Sequence, residues 1–157
     1  MSTLPTEKLE GTDVWLYHGQ IYIPNTYSAG AVGSRFLIGL RDKKRITGTR
    51  CSTCNRVYVP ARSICKDCLS QLNEWVEVST RGTLLTYTVC NVQNPIQPME
   101  APVIYGIIQL DGADTGFVHM LGEVDPEELR IGMRVQAVFR EEREASILDI
   151  RYFKPIA

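Results

Sequence analysis

Four cysteines fall in two tight pairs, Cys51-Ser-Thr-Cys54 and Cys65-Lys-Asp-Cys68, with ten residues between the pairs. No other feature restricts the fold as strongly. A two-residue gap closes a turn whose thiolates reach one ion ~2.3 Å away, and two such turns complete a tetrahedron. A free thiol, pKa ~8.5, is mostly protonated at neutral pH, so four clustered thiolates are favourable only around a metal. The alternative is a pair of disulfides. Met1 to Glu10 contains neither a basic start nor an apolar run, so it does not read as a secretion signal, and the expectation is a cytoplasmic protein. Disulfides do not persist among cytoplasmic thiols. The spacing therefore predicts a zinc ribbon or rubredoxin-like loop with Cys51, Cys54, Cys65 and Cys68 as ligands. Zinc is favoured because nothing in the chain suggests electron transfer, although spacing alone does not separate zinc from iron. Asn55 follows the first pair, where a left-handed residue is usual and Asn is tolerated. Leu69, in the matching place of the second pair, has no such allowance.

The chain around these knuckles has 157 residues, 44% hydrophobic and 22% charged. That is one ordinary globular domain or two small ones, and it excludes collagen, coiled coil and long disorder. A formal charge of −1 excludes a polyelectrolyte, and no apolar run approaches the ~18 residues of a membrane span.

Three segments follow in order. Residues 1–33 read as an extended arm, with short aromatic stretches and a Gly-rich end. Its Trp15, Tyr17, Tyr22 and Tyr27 are candidate partner anchors, since aromatic residues carry large contact area at interfaces. Residues 34–72 read as a short helix, capped by Ser34 and running to about Asp42 on Phe36, Leu37 and Leu40, then the ribbon with Val57-Tyr58-Val59-Pro60 as a strand. Residues 73–157 read as five strands. The first is long and bent, Trp75 to Cys90, with Gly82 as its bulge. Val103–Leu110, Phe117–Val124, Met133–Glu141 and Ala145–Tyr152 follow, and Asp125-Pro126-Glu127-Glu128 starts a one-turn helix between the third and fourth. The fold class is mainly β: arm and short helix, rubredoxin-like ribbon, then a five-stranded OB-fold barrel, with an SH3-like barrel as the rival.

Catalytic candidates are scarce. Motifs for a Ser nucleophile elbow, a P-loop or a dinucleotide fold are absent. His119 alternates with apolar neighbours and reads as a satisfied strand histidine; Cys90 reads as a small buried hydrophobe at a strand end. A Cys90–His119 nucleophile pair is conceivable but lacks an orienting acid. Charge is uneven: residues 41–66 carry eight basic residues against one acid, Asp42. Arg41, Lys43, Lys44, Arg45 and Arg62 are candidates for facing phosphates or a partner. Those phosphates belong to nucleic acid or to a nucleotide-tailed cofactor such as coenzyme A. The remaining chain is acidic, and phosphate repulsion argues against the barrel as a nucleic-acid platform.

The ordered set Tyr27-Ser28-Ala29-Gly30, Ser34-Arg35-Phe36-Leu37, Ile46-Thr47-Gly48-Thr49-Arg50-Cys51, Val57 to Arg62, Glu74-Trp75-Val76, Gly82-Thr83, Leu129 to Val135 and Phe153-Lys154-Pro155 resembles the thiolase-associated zinc-ribbon/OB-fold family. The resemblance covers residues 27 to 155. It departs at Asn55 and Leu69, where glycine is usual, and at Ala61, where a second proline is usual. It implies structural zinc on the four cysteines and a non-catalytic accessory subunit that forms a hetero-oligomer with a thiolase-fold enzyme. It also implies a shared acyl-CoA ester. The enzyme would be an aromatic acyl-CoA thiolase such as benzoylsuccinyl-CoA thiolase, or an acetoacetyl-CoA thiolase/hydroxymethylglutaryl-CoA synthase. The rival is a nucleic-acid-binding module, and a third reading is a free-standing acyl-CoA carrier.

Overall fold

The computed structural model describes residues 6–17, 23, 26–93 and 97–156. A small antiparallel hairpin, β1 (Thr6–Lys8) and β2 (Trp15–Tyr17), opens the described chain. Helix α1 spans Gly30–Lys43. It starts a full turn before Ser34, so the expected cap at Ser34 is wrong. The Ser28 hydroxyl instead accepts the Gly30 N–H at 3.1 Å. Phe36 and Leu40, one turn apart, are the buried residues of α1. The helix closes at Lys44, whose N–H and that of Arg45 reach back to Leu40 and Gly39.

The ribbon is a three-stranded sheet in the order β4 (Val57–Tyr58), β3 (Ile46–Arg50), β5 (Glu74–Val78), all antiparallel. The expected single strand from Trp75 to Cys90 is two strands. β5 pairs with β3 of the ribbon across Ile46–Val78 and Arg50–Glu74. After a break at Ser79 and Thr80 the chain enters the barrel as β6 (Arg81–Cys90). The bulge falls between Leu84 and Thr86, not at Gly82. Gly82 is needed for a different reason: a Cβ there would lie 2.9 Å from Ile108 Cγ2.

The barrel continues with β7 (Val103–Leu110), β8 (Gly116–Leu121), β9 (Arg134–Phe139) and β10 (Ile150–Pro155). It closes in the order β6-β7-β8-β10-β9, with β9 returning to β6 and β8 parallel to β10. That is OB-fold topology. The short helix before β9 is present as a 3-10 turn, Pro126–Glu128, with Asp125 accepting the Glu127 N–H at 2.9 Å. The last strand begins later than its sequence pattern suggested. Ala145 to Asp149 is a loop and turn, because the buried Asp149 carboxylate accepts the N–H groups of Glu144, Ala145 and Ser146 at 2.9, 3.0 and 3.2 Å.

Ribbon, helix and barrel share one core. Phe36, Leu40, Ile46, Val57 and Val78 belong to the same buried cluster as Leu84, Ile108, Phe117, Val135 and Phe153. The barrel turn before β8 also grips the ribbon through backbone. Asp114 Oδ2 accepts the Val57 N–H at 2.8 Å, and the Val57 carbonyl accepts the Asp114 N–H at 2.9 Å. The Thr115 hydroxyl accepts the Val59 N–H at 2.8 Å and donates to the Val59 carbonyl at 2.9 Å. Thr115→Val leaves that N–H unpaired in a part-buried place. The expected cost is about 1–3 kcal/mol. That lowers Tm by roughly 2–12 °C, with zinc content unchanged; thermal unfolding followed by circular dichroism checks it.

Candidate functional site

The two knuckles are built alike. In the first, the Cys51 N–H bonds to the Arg56 carbonyl and the Asn55 N–H returns to the Cys51 carbonyl, both at 2.8 Å. In the second, Cys65 and Ser70, then Leu69 and Cys65, repeat the pattern at 2.9 and 3.1 Å. Asn55 and Leu69 are both left-handed, at φ 55° and 58°. Leu69 takes the strained position with its side chain in solvent.

This fold brings the four Sγ atoms within 4.8 Å of one another. None of the described cysteines forms a disulfide. The Cys51–Cys68 and Cys54–Cys65 sulfurs are 3.5 and 4.0 Å apart. A tetrahedron with ~2.3 Å arms has edges of about 3.8 Å, so the cage fits zinc. Surrounding donors favour thiolate. The Ser70 hydroxyl lies 3.3 Å from Cys51 Sγ and 3.0 Å from Cys68 Sγ. The Cys54 N–H donates to Cys51 Sγ at 3.3 Å. Ser70 first, then this amide, bring the Cys51 thiol down to about 6. Hydrogen bonding to Cys68 and burial push Cys54 up to about 12. Without a cation, four sulfurs this close must share protons, and a divalent ion removes that conflict. Tyr58, fully buried, sets its hydroxyl 3.2 Å from Cys65 Sγ, lowers that thiol, and is itself raised.

Tyr58 and Ser70 were missed by sequence reasoning as parts of the site. A tyrosine inside a short apolar strand was the available signal, because a buried phenol needs a partner. Tyr58→Phe keeps the packing and removes the hydroxyl. Zinc affinity should fall by roughly 10–100-fold, the range for losing a partner of a metal ligand; competition with a chromophoric chelator measures it.

The basic segment is less bare than its count implies. Arg41 pairs with Asp42 at 2.7 Å, Arg45 with Glu77 at 3.2 Å, Arg50 with Glu74 at 3.1 Å, and Arg56 and Lys66 with Asp67 at 3.5 and 3.7 Å. Lys43, Lys44 and Arg62 are exposed and stand outside the ion pairs among the described residues. Arg62 leans over the Tyr58 ring at 5.8 Å. Lys43 and Arg45 instead line a surface groove of about 370 Å³ between α1 and β5, which Arg35, Ile38 and Trp75 complete. The Arg35 guanidinium lies 4.2 Å over the Trp75 ring.

Of the arm's proposed anchors, Trp15 and Tyr27 are exposed. Tyr17 is placed only by its backbone in β2, and Tyr22 lies outside the described residues. Cys90 and His119 make no nucleophile pair. Cys90 ends β6 opposite Val103, while His119 lies opposite Gly106, three residues along β7. The Cys90 thiol faces the Val92 carbonyl at 3.6 Å. His119 is buried, with Nδ1 accepting the Met120 N–H at 2.8 Å and Nε2 3.2 Å from the Ile147 carbonyl. It is the satisfied strand histidine of the plainer reading.

Burial lowers the His119 pKa below its ordinary 6.5. The unfolded chain takes up this proton near 6.5 and the folded chain only at lower pH, so stability falls as pH drops below about 6.5. His119→Gln should flatten this loss of stability between pH 6.5 and 5.5. Denaturant melts of both chains at the two pH values check this.

A zinc ribbon locked to an OB barrel defines a class of metal-stapled two-part modules. Residues 41–74 match the ChsH2 rubredoxin-like zinc ribbon domain, and residues 75–140 match the ChsH2 C-terminal OB-fold domain. A DUF35 domain-containing scaffold protein of Methanocaldococcus jannaschii is 32% identical over 122 residues, covering 74% of this chain and 86% of that protein. Another, from Pyrococcus furiosus, is 33% identical over 113 residues, covering 71% and 80%. The chain belongs to the DUF35 family of zinc-ribbon/OB-fold proteins. Solved structures share the fold, two of them as follows. The Ltp2-ChsH2(DUF35) aldolase has a chain with TM-score 0.58 and 24% identity, covering 78% of this chain and 93% of that one. A DUF35 protein of unknown function from Sulfolobus solfataricus has TM-score 0.57 and 24% identity, covering 69% and 78%. No helix among the described residues is long and apolar enough to cross a membrane.

Proposed function

We propose that this chain is a non-catalytic accessory subunit that docks on a thiolase-fold enzyme and helps hold its acyl-CoA ester. One observation carries the reading: both ChsH2 domains, in order, span residues 41–140 of a molecule that presents no nucleophile–base pair among its described residues. Two further names agree with it. The curated relatives are called scaffold proteins, and the solved aldolase is named for Ltp2 and ChsH2 together. The acyl group is that of an aromatic acyl-CoA thiolase, of the benzoylsuccinyl-CoA type, or of an acetoacetyl-CoA thiolase/hydroxymethylglutaryl-CoA synthase. The work of the subunit is positional and takes place in the cytoplasm. Zinc fixes the ribbon, the ribbon and the exposed aromatic arm meet the enzyme, and the uncommitted charges of Lys44 and Arg62 face the CoA phosphates.

Affinity purification of the full chain from its own cells at moderate salt tests the partner. A stoichiometric thiolase-fold protein is expected; nucleic acid without such a protein overturns the reading in favour of a binding module. In the purified complex, Lys44→Glu with Arg62→Glu should weaken acyl-CoA binding about tenfold or more, read by calorimetry. Unchanged binding sinks the phosphate assignment.

A further inference from the structure

The two edges of the ribbon sheet are treated differently. At one edge, β4 is only two residues long, and the barrel turn covers the backbone there. Asp114 bonds both polar groups of Val57, and Thr115 bonds both polar groups of Val59. At the other edge, β5 has five residues and pairs with β3 alone. In an antiparallel ladder every second residue turns its N–H and C=O away from its partner strand. The outward groups of β5 have no backbone partner among the described residues. Proteins blunt such edges because they are templates for another strand.

The open edge is also part of a shaped surface. Trp75, Val76 and Glu77 of β5, with Arg45 and Thr47 at the start of β3, face α1 across the groove of about 370 Å³. The charge is biased. Asp42 and Glu77 are answered by Arg41 and Arg45, whereas Arg35 and Lys43 have no acid partner among the described residues. Exposed Ile38 adds an apolar floor contact. A free strand edge asks for extended backbone, alternating small apolar contact, and acidic side chains reaching toward α1.

We infer that this groove takes an extended acidic segment of the partner protein, which adds as a fourth strand to the ribbon sheet at β5. The inference deepens the accessory-subunit reading by naming how the partner is held. It does not require the partner to have a thiolase fold.

The test uses the full chain carrying Trp15→Phe, which leaves Trp75 as its one tryptophan. The probe is the blocked synthetic peptide Val-Glu-Val-Glu-Val-Thr. A saturable change in Trp75 emission is expected. Binding should weaken at least tenfold for the same peptide N-methylated at alternate residues, for its Glu-to-Lys counterpart, and for Arg35→Glu protein. Absence of a saturable change, or equal binding of the N-methylated peptide, overturns the inference. In the purified complex, amide exchange at residues 75–77 should slow at least tenfold relative to the chain alone; unchanged exchange there also overturns it. The two readings fail separately. A non-thiolase partner with positive peptide binding refutes the enzyme assignment and keeps the strand addition. A thiolase-fold partner with negative peptide binding does the reverse.

Discussion

The four sulfurs within 4.8 Å of one another are the constraint on which the ribbon depends. The buried cluster at this end contains little beyond Cys51, Cys65, Tyr58 and Leu72. So few side chains cannot offset the backbone entropy of the two knuckles. A metal supplies the missing cohesion, and the donors around it are placed to suit thiolate. Ser70 and the Cys54 amide serve Cys51, and Tyr58 serves Cys65. The phenol has a second task, since its ring is buried with Cys51, Cys65 and Leu72 and its hydroxyl also reaches Asp67 at 3.3 Å. Metal binding and packing are thus joined in one side chain.

The order established at the sulfurs is passed to the barrel through two kinds of contact. Phe36, Leu40, Ile46 and Val78 pack into the barrel cluster, so a shared core joins ribbon and barrel. Asp114 and Thr115 then fix the register of β4 against the turn before β8 with four hydrogen bonds. On the far side of α1, Arg143 donates to the Arg41 carbonyl at 2.7 Å, and Asp149 holds the loop that carries Arg143. These joints tie α1, the ribbon and the barrel to one another.

Much of this was readable in the sequence, for definite reasons. Metal ligands are local: a two-residue gap already states the turn and its chemistry. The Asp125-Pro126 turn is local in the same way. What the sequence did not disclose was which elements would be neighbours. Alternation in Trp75–Val78 tells that the segment is a strand but not that its partner is Ile46–Arg50 instead of the barrel. The same pairing brings Glu74 and Glu77 beside Arg50 and Arg45, so a charge count along the chain overstated the basic face. Gly82 looked like a bulge because a glycine in a strand has two explanations, and close approach to the Gln109 backbone and Ile108 was the correct one. The helix begins at Gly30 without a side-chain cap, so a search for a capping residue pointed to the wrong place.

An interface of standard size covers about 800 Å² on each partner. The groove beside β5 is too narrow to supply that area by itself. The outer wall of the barrel has a second surface suited to burial. Ile107 and Val118 sit opposite each other on β7 and β8 and Leu85 lies next to them on β6, with 37%, 63% and 41% of their surfaces exposed. Their flanking outward neighbours, Thr83, Thr86, Gln109 and Gly116, carry no charge. Barrel walls that face water alternate with polar and charged residues, and interface centres are the places where charge is depleted. An open strand edge and an uncharged apolar band are each a liability in a solitary molecule. Both cease to be liabilities when another protein covers them.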